Sequence, residues 1–347
     1  MRKGEGKVRN VALQPERLEA LLETIGRVRA VAIGDVCLDV YWIADMRRAT
    51  LSRETPHFNL PVTEERYSLG AAGNAMSNMR ALGATVLPLT LLGEDWRGGI
   101  VRRLMAEMSL PSDGLIAAPG RITPAYVKPY RCGHGDVRYE DPRIDFENAQ
   151  PPCEAAERML VEALERAADS ADVIVVSDQL GTGVVTPRVR ETLCALAAAG
   201  RKVIVDSRDN IAAYKGCILK PNELEAARAA SLAPAAVTPE EYLPVARKLR
   251  ETSGGDVIIT LGAAGAMCLG SDGEPCFAPA MRVPPPIDIV GAGDSFLSAC
   301  ALALGAGAAL EEAIALGNLA SSVTIQKIGQ TGTASAAEIR AAYAKRG

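Results

Sequence analysis

The sequence predicts an α/β protein with a doubly wound, mostly parallel sheet and helices on both faces. Two observations support this fold class. Short apolar runs typical of buried strands alternate with longer segments of helical periodicity. Polar or glycine residues follow many of the apolar runs, where the strands of such a sheet end. Because 48% of the 347 residues are hydrophobic, the chain can bury a large core. We expect one domain over residues 1–347.

The individual elements follow from these patterns in chain order. Strands are predicted at 30–33, 86–92, 173–176, 202–205, 218–219 and 257–261. Helices are predicted at 74–82, 97–108, 153–169, 187–199, 223–230, 239–252 and 294–304, and a last helix begins at the capping-box sequence Ser335-Ala-Ala-Glu338. The polar residues at the strand ends should therefore converge on one crevice.

Two segments, at about 40–68 and 119–146, are too polar and too extended to belong to the alternation of buried strands and helices. The tip Gly133-His134-Gly135 predicts a hairpin in the second segment. Small strands beside the crevice would form a lid, although a surface excursion without a catalytic role stays open. The apolar residues that the lid would otherwise expose predict burial against a second copy, and hence a homodimer.

Composition narrows the classes of partner. The net charge is −4 and no block of Lys and Arg is present, so neither nucleic acid nor an anionic membrane is expected as the main partner. A small molecule is the expected ligand. No apolar run reaches the length of a membrane span or a signal peptide, and the eight cysteines are dispersed without a C-x-x-C pair. We expect a cytoplasmic protein with reduced cysteines.

A glycine-rich turn, Asp288-Ile-Val-Gly-Ala-Gly-Asp294, directly precedes an Ala/Leu-rich helical pattern. Small residues let backbone N–H groups approach an anion, and a helix N-terminus adds positive charge, so the turn predicts a phosphate site. A carboxylate there would repel phosphate, which makes Asp294 a candidate base that accepts a proton from an attacking hydroxyl. The alternative is an ordinary helix start with Asp294 as N-cap.

Small and acidic residues near the first strands are candidates for sugar binding. Gly70-Ala-Ala-Gly73-Asn74 enters a helical segment, and Asn74 offers a donor and an acceptor to hydroxyl groups. Asp35 and Asp39 follow the first predicted strand, where carboxylates can hold two hydroxyls in a fixed orientation. Roles as helix caps or loop residues stay open for these positions.

Two segments in the C-terminal half are candidates for nucleotide binding. Asn222-Glu-Leu-Glu225 has the spacing of a capping box, which favours a structural role unless phosphate and metal lie nearby. Thr260-Leu-Gly262-Ala-Ala-Gly265 leaves a strand with little side-chain bulk, which suits contact with a nucleotide. Glycine turns after strands are also common without any ligand.

Together these motifs resemble the ribokinase-type (PfkB) carbohydrate kinase family over nearly the whole chain. The segment from Gly70 to Gly93 is similar to the family's first signature, and Asp288 to Asp294 is similar to its second. The resemblance implies a ribokinase-like fold in which Asp294 is the base for phosphoryl transfer from ATP to a sugar hydroxyl. It also implies an anion hole (Gly291, Ala292, Gly293), sugar contacts (Asp35, Asp39, Gly70, Gly73, Asn74), ATP contacts (Asn222, Glu225, Thr260, Gly262, Gly265, Asn318), an indirect Mg²⁺ contact (Glu225) and a monovalent-cation site for K⁺ (Asp288).

Within the family, residues 34–42, 51–56 and 143–147 resemble the bacterial heptose-7-phosphate kinases. The sequence departs from that subgroup at Asp206-Ser207-Arg208, where the subgroup has Asp-Pro-Lys, and at Ile289-Val290, which replaces a Thr-containing pair. The resemblance implies a phosphorylated sugar, heptose 7-phosphate or a relative. The candidate cations for the sugar phosphate are Lys128, Arg131, Arg143 and Arg208.

Other functions stay open on the sequence alone. One is a kinase of the same family for ribose, fructose phosphate or an adenosine-like acceptor. A Rossmann dehydrogenase would share the α/β pattern, but Gly34-Asp-Val-Cys37 is a poor match to its G-x-G-x-x-G turn. A non-catalytic sugar-binding or regulatory protein could share the fold, but binding alone does not require a base such as Asp294.

Overall fold

The computed structural model describes residues 8–345, so residues 1–7 and 346–347 of the expected domain lie outside the described part. The strands in this part are β1 (Arg9–Asn10), β2 (Arg29–Gly34), β3 (Val36–Asp45), β4 (Val62–Ala71), β5 (Thr85–Leu92), β6 (Leu115–Ala117), β7 (Ala125–His134), β8 (Val137–Glu140), β9 (Ile144–Phe146), β10 (Val173–Asp178), β11 (Val203–Ser207), β12 (Ile218–Leu219), β13 (Val257–Thr260), β14 (Gly265–Leu269) and β15 (Pro275–Pro279). The helices are α1 (Pro15–Ile25), α2 (Ala72–Ala81), α3 (Trp96–Glu107), α4 (Glu154–Ala168), α5 (Pro187–Ala198), α6 (Glu223–Ala230), α7 (Pro239–Ser253), α8 (Ala292–Gly305), α9 (Leu310–Thr324) and α10 (Ala336–Ala344).

The large sheet has ten strands in the order β1-β15-β14-β13-β12-β11-β10-β2-β5-β6. Its neighbouring strands are parallel except for the pairs β13–β14 and β14–β15. From β2 the chain builds outward through β5 and β6, then returns to the other side of β2 with β10. The strand order therefore reverses between β2 and β10, and ligands of open α/β sheets bind beyond the carboxyl ends of strands at such a point.

Alternate side chains of the central strands face two opposite helical layers. Ala32 and Val175 belong to a core shared with α1, α2, α8, α9 and α10. Ile33 and Val176 belong to a second core shared with α4 and α5, and α6 and α7 cover β13 and β14 in a third. The predicted doubly wound sheet with helices on both faces is confirmed.

The predicted strands and helices of the large sheet are present, with ends that differ by up to two residues. The larger elements that were not predicted include α1, α9, β3, β14 and β15. The hairpin β14–β15 is short and rich in Gly, Cys and Pro, so its pattern lacks the β-branched residues that mark the other strands. None of the helices in the described part combines the length and the apolar character that crossing a membrane requires.

A small five-stranded sheet is formed by β4-β3-β7-β8, with β9 paired to β7. Val40 and Val127 on one face belong to the main core, whereas Asp39 and Lys128 lie on the opposite face. The predicted hairpin is present, since β7 and β8 pair antiparallel with His134 opposite Val137. Strand β3 begins soon after β2, so Asp39 lies within a strand and not in a loop after the first strand.

Candidate active site

Two helix N-termini face each other at the carboxyl edge of the large sheet. Helix α2 begins after β4, and helix α8 begins at Ala292, with Gly291 as its N-cap in the left-handed conformation at φ 79°. Asp294 is the third residue of α8 and Asn74 is the third residue of α2. The Asn74 Nδ2 atom donates to Asp294 Oδ2 at 3.2 Å. Because Gly291 occupies the N-cap position, the alternative role of Asp294 as N-cap is wrong.

The environment of Asp294 raises the pKa of its carboxyl group to about 7. Burial is the largest cause, and the carboxylates of Asp206 and Asp39 act in the same direction. The hydrogen bond from Asn74 and the charge of Lys220 oppose this rise. A carboxyl group with a pKa near neutrality is suited to accept a proton at physiological pH.

The first turn of α8 offers backbone N–H groups for an anion. The Ala292 N–H group donates to the Ile289 carbonyl at 3.2 Å within the turn. The N–H groups of Gly293 and Asp294 have no acceptor within residues 8–345. Of the expected anion hole at Gly291, Ala292 and Gly293, the N–H groups of Gly291 and Gly293 are thus open within residues 8–345, and the amide of Asp294 adds a third.

A buried ion pair between Lys220 and Asp206 contributes to the charge around Asp294. Lys220 Nζ lies 3.0 Å from Asp206 Oδ2, and both residues are buried. Burial tends to lower the pKa of the Lys220 ammonium, but the carboxylates of Asp206, Glu225 and Asp294 outweigh it and the pKa is raised. Both residues directly follow strands that were predicted at 202–205 and 218–219, but the pairing itself depends on the alignment of β11 with β12.

The predicted sugar-binding residues Asp39, Gly70 and Gly73 form one packed unit. Lys128 Nζ lies 3.0 Å from Asp39 Oδ2 and 3.3 Å from the Tyr41 hydroxyl. Burial raises the pKa of Asp39, and the charge of Lys128 opposes this. A Cβ atom at Gly70 would lie 3.0 Å from Asp39 Oδ1, and one at Gly73 would lie 2.7 Å from the Leu69 Cβ atom. Both glycines therefore make room for protein neighbours.

Asp35 is 1% exposed and holds a loop of the main chain. Its carboxylate accepts N–H groups from Gln179 at 3.0 Å, Leu180 at 2.9 Å and Val184 at 2.6 Å. Burial raises the pKa of Asp35 to about 6 against these hydrogen bonds. In this geometry Asp35 shapes the wall of the crevice through the 179–184 loop.

The predicted nucleotide residues lie along β12, β13 and the start of α6. Asn222 and Glu225 form a reciprocal capping box, with both N–H to oxygen distances at 2.9 Å. Burial and the neighbouring Asp206 raise the pKa of Glu225. Thr260 pairs with Asn222 in an isolated parallel bridge. Glu225 is the residue of these three that lies beside the Asp206–Lys220 pair, since both of those charges act on its carboxyl group.

Gly262, Gly265 and Asn318 surround the outer part of this region. Gly262 begins a short 3₁₀ turn and has φ 53°. Gly265 has φ 129°, and its Cα lies so close to β15 that an added Cβ atom would clash with the Ala278 oxygen. Asn318 Nδ2 donates to the Ala278 oxygen at 2.7 Å. Gly265 is therefore required by packing, whereas a Cβ atom at Gly262 would meet open space.

Asp288 joins two loops at the base of α8. Its Oδ1 atom accepts the Val290 N–H group at 3.0 Å, and its Oδ2 atom accepts the Gly329 N–H group at 2.9 Å. The backbone N–H group of Asp288 donates to the Ile325 oxygen at 2.8 Å. These bonds hold the loop before α8 against the loop after α9.

The four candidate cations for a sugar phosphate differ in their partners. Lys128 pairs with Asp39, Arg131 with Asp141 at 2.6 Å, and Arg143 with Asp145 at 2.6 Å. Arg208 is exposed and has no carboxylate within ion-pair distance among residues 8–345. It lines a cavity of about 170 Å³ together with the loops at 147–148 and 179–182. Arg208 is therefore the cation of the four that is open to an anion.

Solved structures place this chain in the ribokinase-like fold class. The crystal structure of phosphofructokinase-2 from Escherichia coli in complex with potassium aligns with a TM-score of 0.68 and 22% identity, covering 92% of this chain and 99% of that chain. Ribokinase from Arabidopsis thaliana, complexed with ribose and ATP, aligns with a TM-score of 0.68 and 18% identity, covering 91% and 98%. At identities of 22% and 18%, this structural similarity shows the fold and does not by itself show the activity.

The chain belongs to the pfkB family of carbohydrate kinases, because the model of that family matches residues 29–337. Curated relatives include the bifunctional protein HldE of Bradyrhizobium diazoefficiens, 32% identical over 93% of this chain and 64% of that protein. HldE of Caulobacter vibrioides is 35% identical over 90% of this chain and 62% of that protein. The chain thus spans less than two thirds of the length of these relatives. The predicted family is confirmed.

Proposed function

We propose that this chain is an ATP-dependent sugar kinase that transfers the γ-phosphoryl group to a hydroxyl of a sugar or sugar phosphate, with Asp294 as the base. The observation that carries the proposal is the Asp294 carboxylate, which has a pKa of about 7 and lies beside open N–H groups of the same helix. A binding protein gains nothing from a charge that repels phosphate. A role as proton acceptor explains why a negatively charged side chain lies at this position.

The residues of the crevice support a mechanism in which the proton moves late. A sugar hydroxyl is too weak an acid for Asp294 to deprotonate before attack, so the proton passes to Asp294 as the oxygen–phosphorus bond forms and the bond to the β-phosphate oxygen breaks. Asn74 holds Asp294 Oδ2 and leaves Oδ1 for this proton. The N–H groups of Gly293 and Asp294 would stabilise the transferred phosphoryl oxygens.

The nucleotide is proposed to lie over Thr260, Gly262 and Gly265, with Asn318 at its outer side. Mg²⁺, when bound with ATP, would neutralise charge on the phosphates. Glu225 fits an indirect contact, because its Oε2 atom is bound in the capping box while its carboxylate lies beside Asp206 and Lys220. Asp288 would support a K⁺ site indirectly, by holding the loop before α8 against the loop after α9. Both of its carboxylate oxygens already accept backbone N–H groups.

The acceptor is proposed to be a phosphorylated sugar, with heptose 7-phosphate or a relative ahead of an unphosphorylated pentose. Asp39 and Asn74 would hold its hydroxyls, with Lys128 beside them. Arg208 and the 170 Å³ cavity that it lines beside the 179–182 loop offer a place for its phosphate. The resemblance of residues 34–42, 51–56 and 143–147 to the heptose-7-phosphate kinases supports this order.

The small sheet is proposed to act as a lid and as the contact surface of a homodimer. In the segment that joins β3 to β4, Leu51 and Phe58 are 62% and 69% exposed and Leu60 is 45% exposed, and Val62 at the start of β4 is also 45% exposed. A second copy would remove this apolar surface from water.

The eight free cysteines support a reducing compartment, in keeping with a cytoplasmic location.

An ATP-consumption assay with a sugar panel tests the proposed function. The panel contains matched pairs of one sugar with and without its phosphate, and the product is identified by mass spectrometry. Turnover that is at least about tenfold more efficient on the phosphorylated member supports the substrate proposal. Equal efficiency on both members contradicts it. Sugar binding without ATP consumption would identify a non-catalytic binding protein.

A further inference from the structure

A buried serine connects the two helices that carry Asn74 and Asp294. Ser298 lies in α8 and is fully buried. Its Oγ atom donates to the backbone oxygen of Asp294 at 2.7 Å, within α8, and to the backbone oxygen of Ala75 in α2 at 2.9 Å. A hydroxyl group has one hydrogen, so the two carbonyl oxygens share it. Ser298 therefore bridges Asp294 and the residue that follows Asn74.

The stability of α8 does not require this hydroxyl group. A serine inside a helix often bonds the carbonyl oxygen one turn before it, so the bond to Asp294 is an ordinary local contact. Neighbouring positions of α8 such as Ala299 and Ala301 are buried without any polar group. Alanine favours a helix more than serine does. The distinguishing feature of Ser298 is its contact with Ala75, a residue 223 positions away in the chain.

Two polar contacts thus join α2 to α8 beside the candidate base. The first is the bond from Asn74 Nδ2 to Asp294 Oδ2, which at 3.2 Å is at the long end of the normal range. The second, from Ser298 to Ala75, lies one residue further along α2 and four residues further along α8. Apolar packing between the helices is not directional, and a single hydrogen bond can act as a pivot. Two contacts at different points fix the relative orientation of the helices.

We propose that Ser298 is a positioning residue, which holds α2 against α8 so that the Asn74 amide stays on Asp294 Oδ2. In its absence a small slide of the helices would lengthen the bond from Asn74 and let the carboxylate turn. The oxygen Oδ1 would then no longer be held ready for the proton of the sugar hydroxyl. This inference rests on the proposed role of Asp294 as the base. Ser298 is buried and needs no contact with the sugar or ATP.

The side-chain amide signal of Asn74 in nuclear magnetic resonance tests the positioning without any turnover. The signal is assigned by its loss in Asn74→Ala, and Asp294→Ala, which has no acceptor, defines its position without the hydrogen bond. At alkaline pH, Ser298→Ala should move the signal by about half or more of the way to that position, because hydrogen bonds weaken steeply with distance and angle.

Ser322→Ala is the matched control. Ser322 is also a buried serine, but its Oγ atom donates to the Leu319 oxygen at 2.7 Å within the same helix, α9. Its loss removes a hydroxyl group of the same kind without touching the contact between α2 and α8. The Asn74 signal should stay at its wild-type position in this variant.

Steady-state kinetics gives a second readout. In Ser298→Ala, kcat should fall by about tenfold or more, since small misplacements of reacting groups are costly. The KM for ATP should stay within about twofold, because the proposed nucleotide contacts lie on β13, β14 and α9. In an Asn74→Ala background the further change to Ser298→Ala should lower kcat only slightly, because the contact that Ser298 positions is already lost.

An unmoved Asn74 signal in Ser298→Ala would overturn the proposal. It would also be overturned by effects of Asn74→Ala and Ser298→Ala on kcat that multiply, or by an equal loss in Ser322→Ala. If Ser298→Ala does not fold, Ser298→Cys keeps a weak donor of similar size and should move the Asn74 signal less but in the same direction. If the chain consumes no ATP, the Asn74 signal still decides the positioning, so a failure of the kinase proposal appears separately.

Discussion

Asp294→Asn separates catalysis from stability more sharply than any other single change in this chain. Asn keeps the size of the side chain and can still accept the hydrogen bond from Asn74, but it cannot accept a proton. The expected kcat is lower by roughly 10²- to 10⁴-fold, the usual contribution of a general base. The affinity for ATP should hold or improve, because a negative charge near the γ-phosphate is removed.

The same substitution is expected to stabilise the fold at alkaline pH. The folded pKa of Asp294, about 7, lies above its ordinary value of 3.8, so the charged carboxylate is disfavoured in the folded protein. The contribution of Asp294 to wild-type stability therefore declines as pH rises from about 4 to about 7, with a limiting cost of about 4 kcal/mol above that range. Partial exposure of the side chain and the lost attraction to the helix dipole reduce the expected net gain to about 1–2 kcal/mol.

Urea unfolding at pH 4 and pH 8.5, together with single-turnover phosphoryl transfer, measures both effects. The variant should come close to the wild type in stability at pH 4, where Asp294 is neutral in the folded protein, and exceed it at pH 8.5. Near-wild-type turnover in the folded variant would refute the role of Asp294 as base. A variant that is less stable than the wild type at pH 8.5 would refute the argument from burial.

Three further outcomes are expected. In steady-state kinetics, Lys128→Met should raise the KM for the sugar by about tenfold or more, with a smaller change in kcat. Arg131→Met breaks a more exposed ion pair and should change both constants far less. Equal effects of the two substitutions would contradict the proposed sugar site. Gly265→Ala should destabilise the fold by about 2 kcal/mol or more in urea unfolding, because φ is 129° and a Cβ atom would meet backbone, while Gly99→Ala in α3, where the Cβ atom meets open space, should not destabilise it. Phe58→Glu should convert a dimer into a monomer in sedimentation at micromolar concentration, and a wild-type protein that is already monomeric would contradict the proposed interface.

Local patterns were sufficient for the central parallel strands and the helices between them. Strands such as β10 and β11 are continuous apolar runs because both of their faces are covered by helices. The hairpin β14–β15 was not predicted, since its burial depends on α9 and on the sheet edge and not on its own composition. Strand β3 was obscured by Asp39, a charge that is tolerated inside a strand because Lys128 reaches it from β7.

The parts of the candidate site that lie at strand ends and helix starts were predictable from the sequence. Asp294, Asn74 and Asn222 lie at the starts of helices, where their motifs placed them. The partner of each group was not predictable, because the partners come from distant parts of the chain. The pairing of Asp206 with Lys220 and the engagement of Asp35 with the 179–184 loop require the order of neighbouring strands.

The hydrogen bond between Asn74 and Asp294 joins residues 220 positions apart in the chain. Closing a loop of that length costs about 5 kcal/mol of chain entropy, which this one bond cannot offset, so it forms only after the sheet between the two helices is assembled. During synthesis on the ribosome, α2 emerges long before α8 exists. Recovered enzymatic activity should accordingly be among the last signals to return when the denatured protein refolds, after helical circular dichroism has been regained.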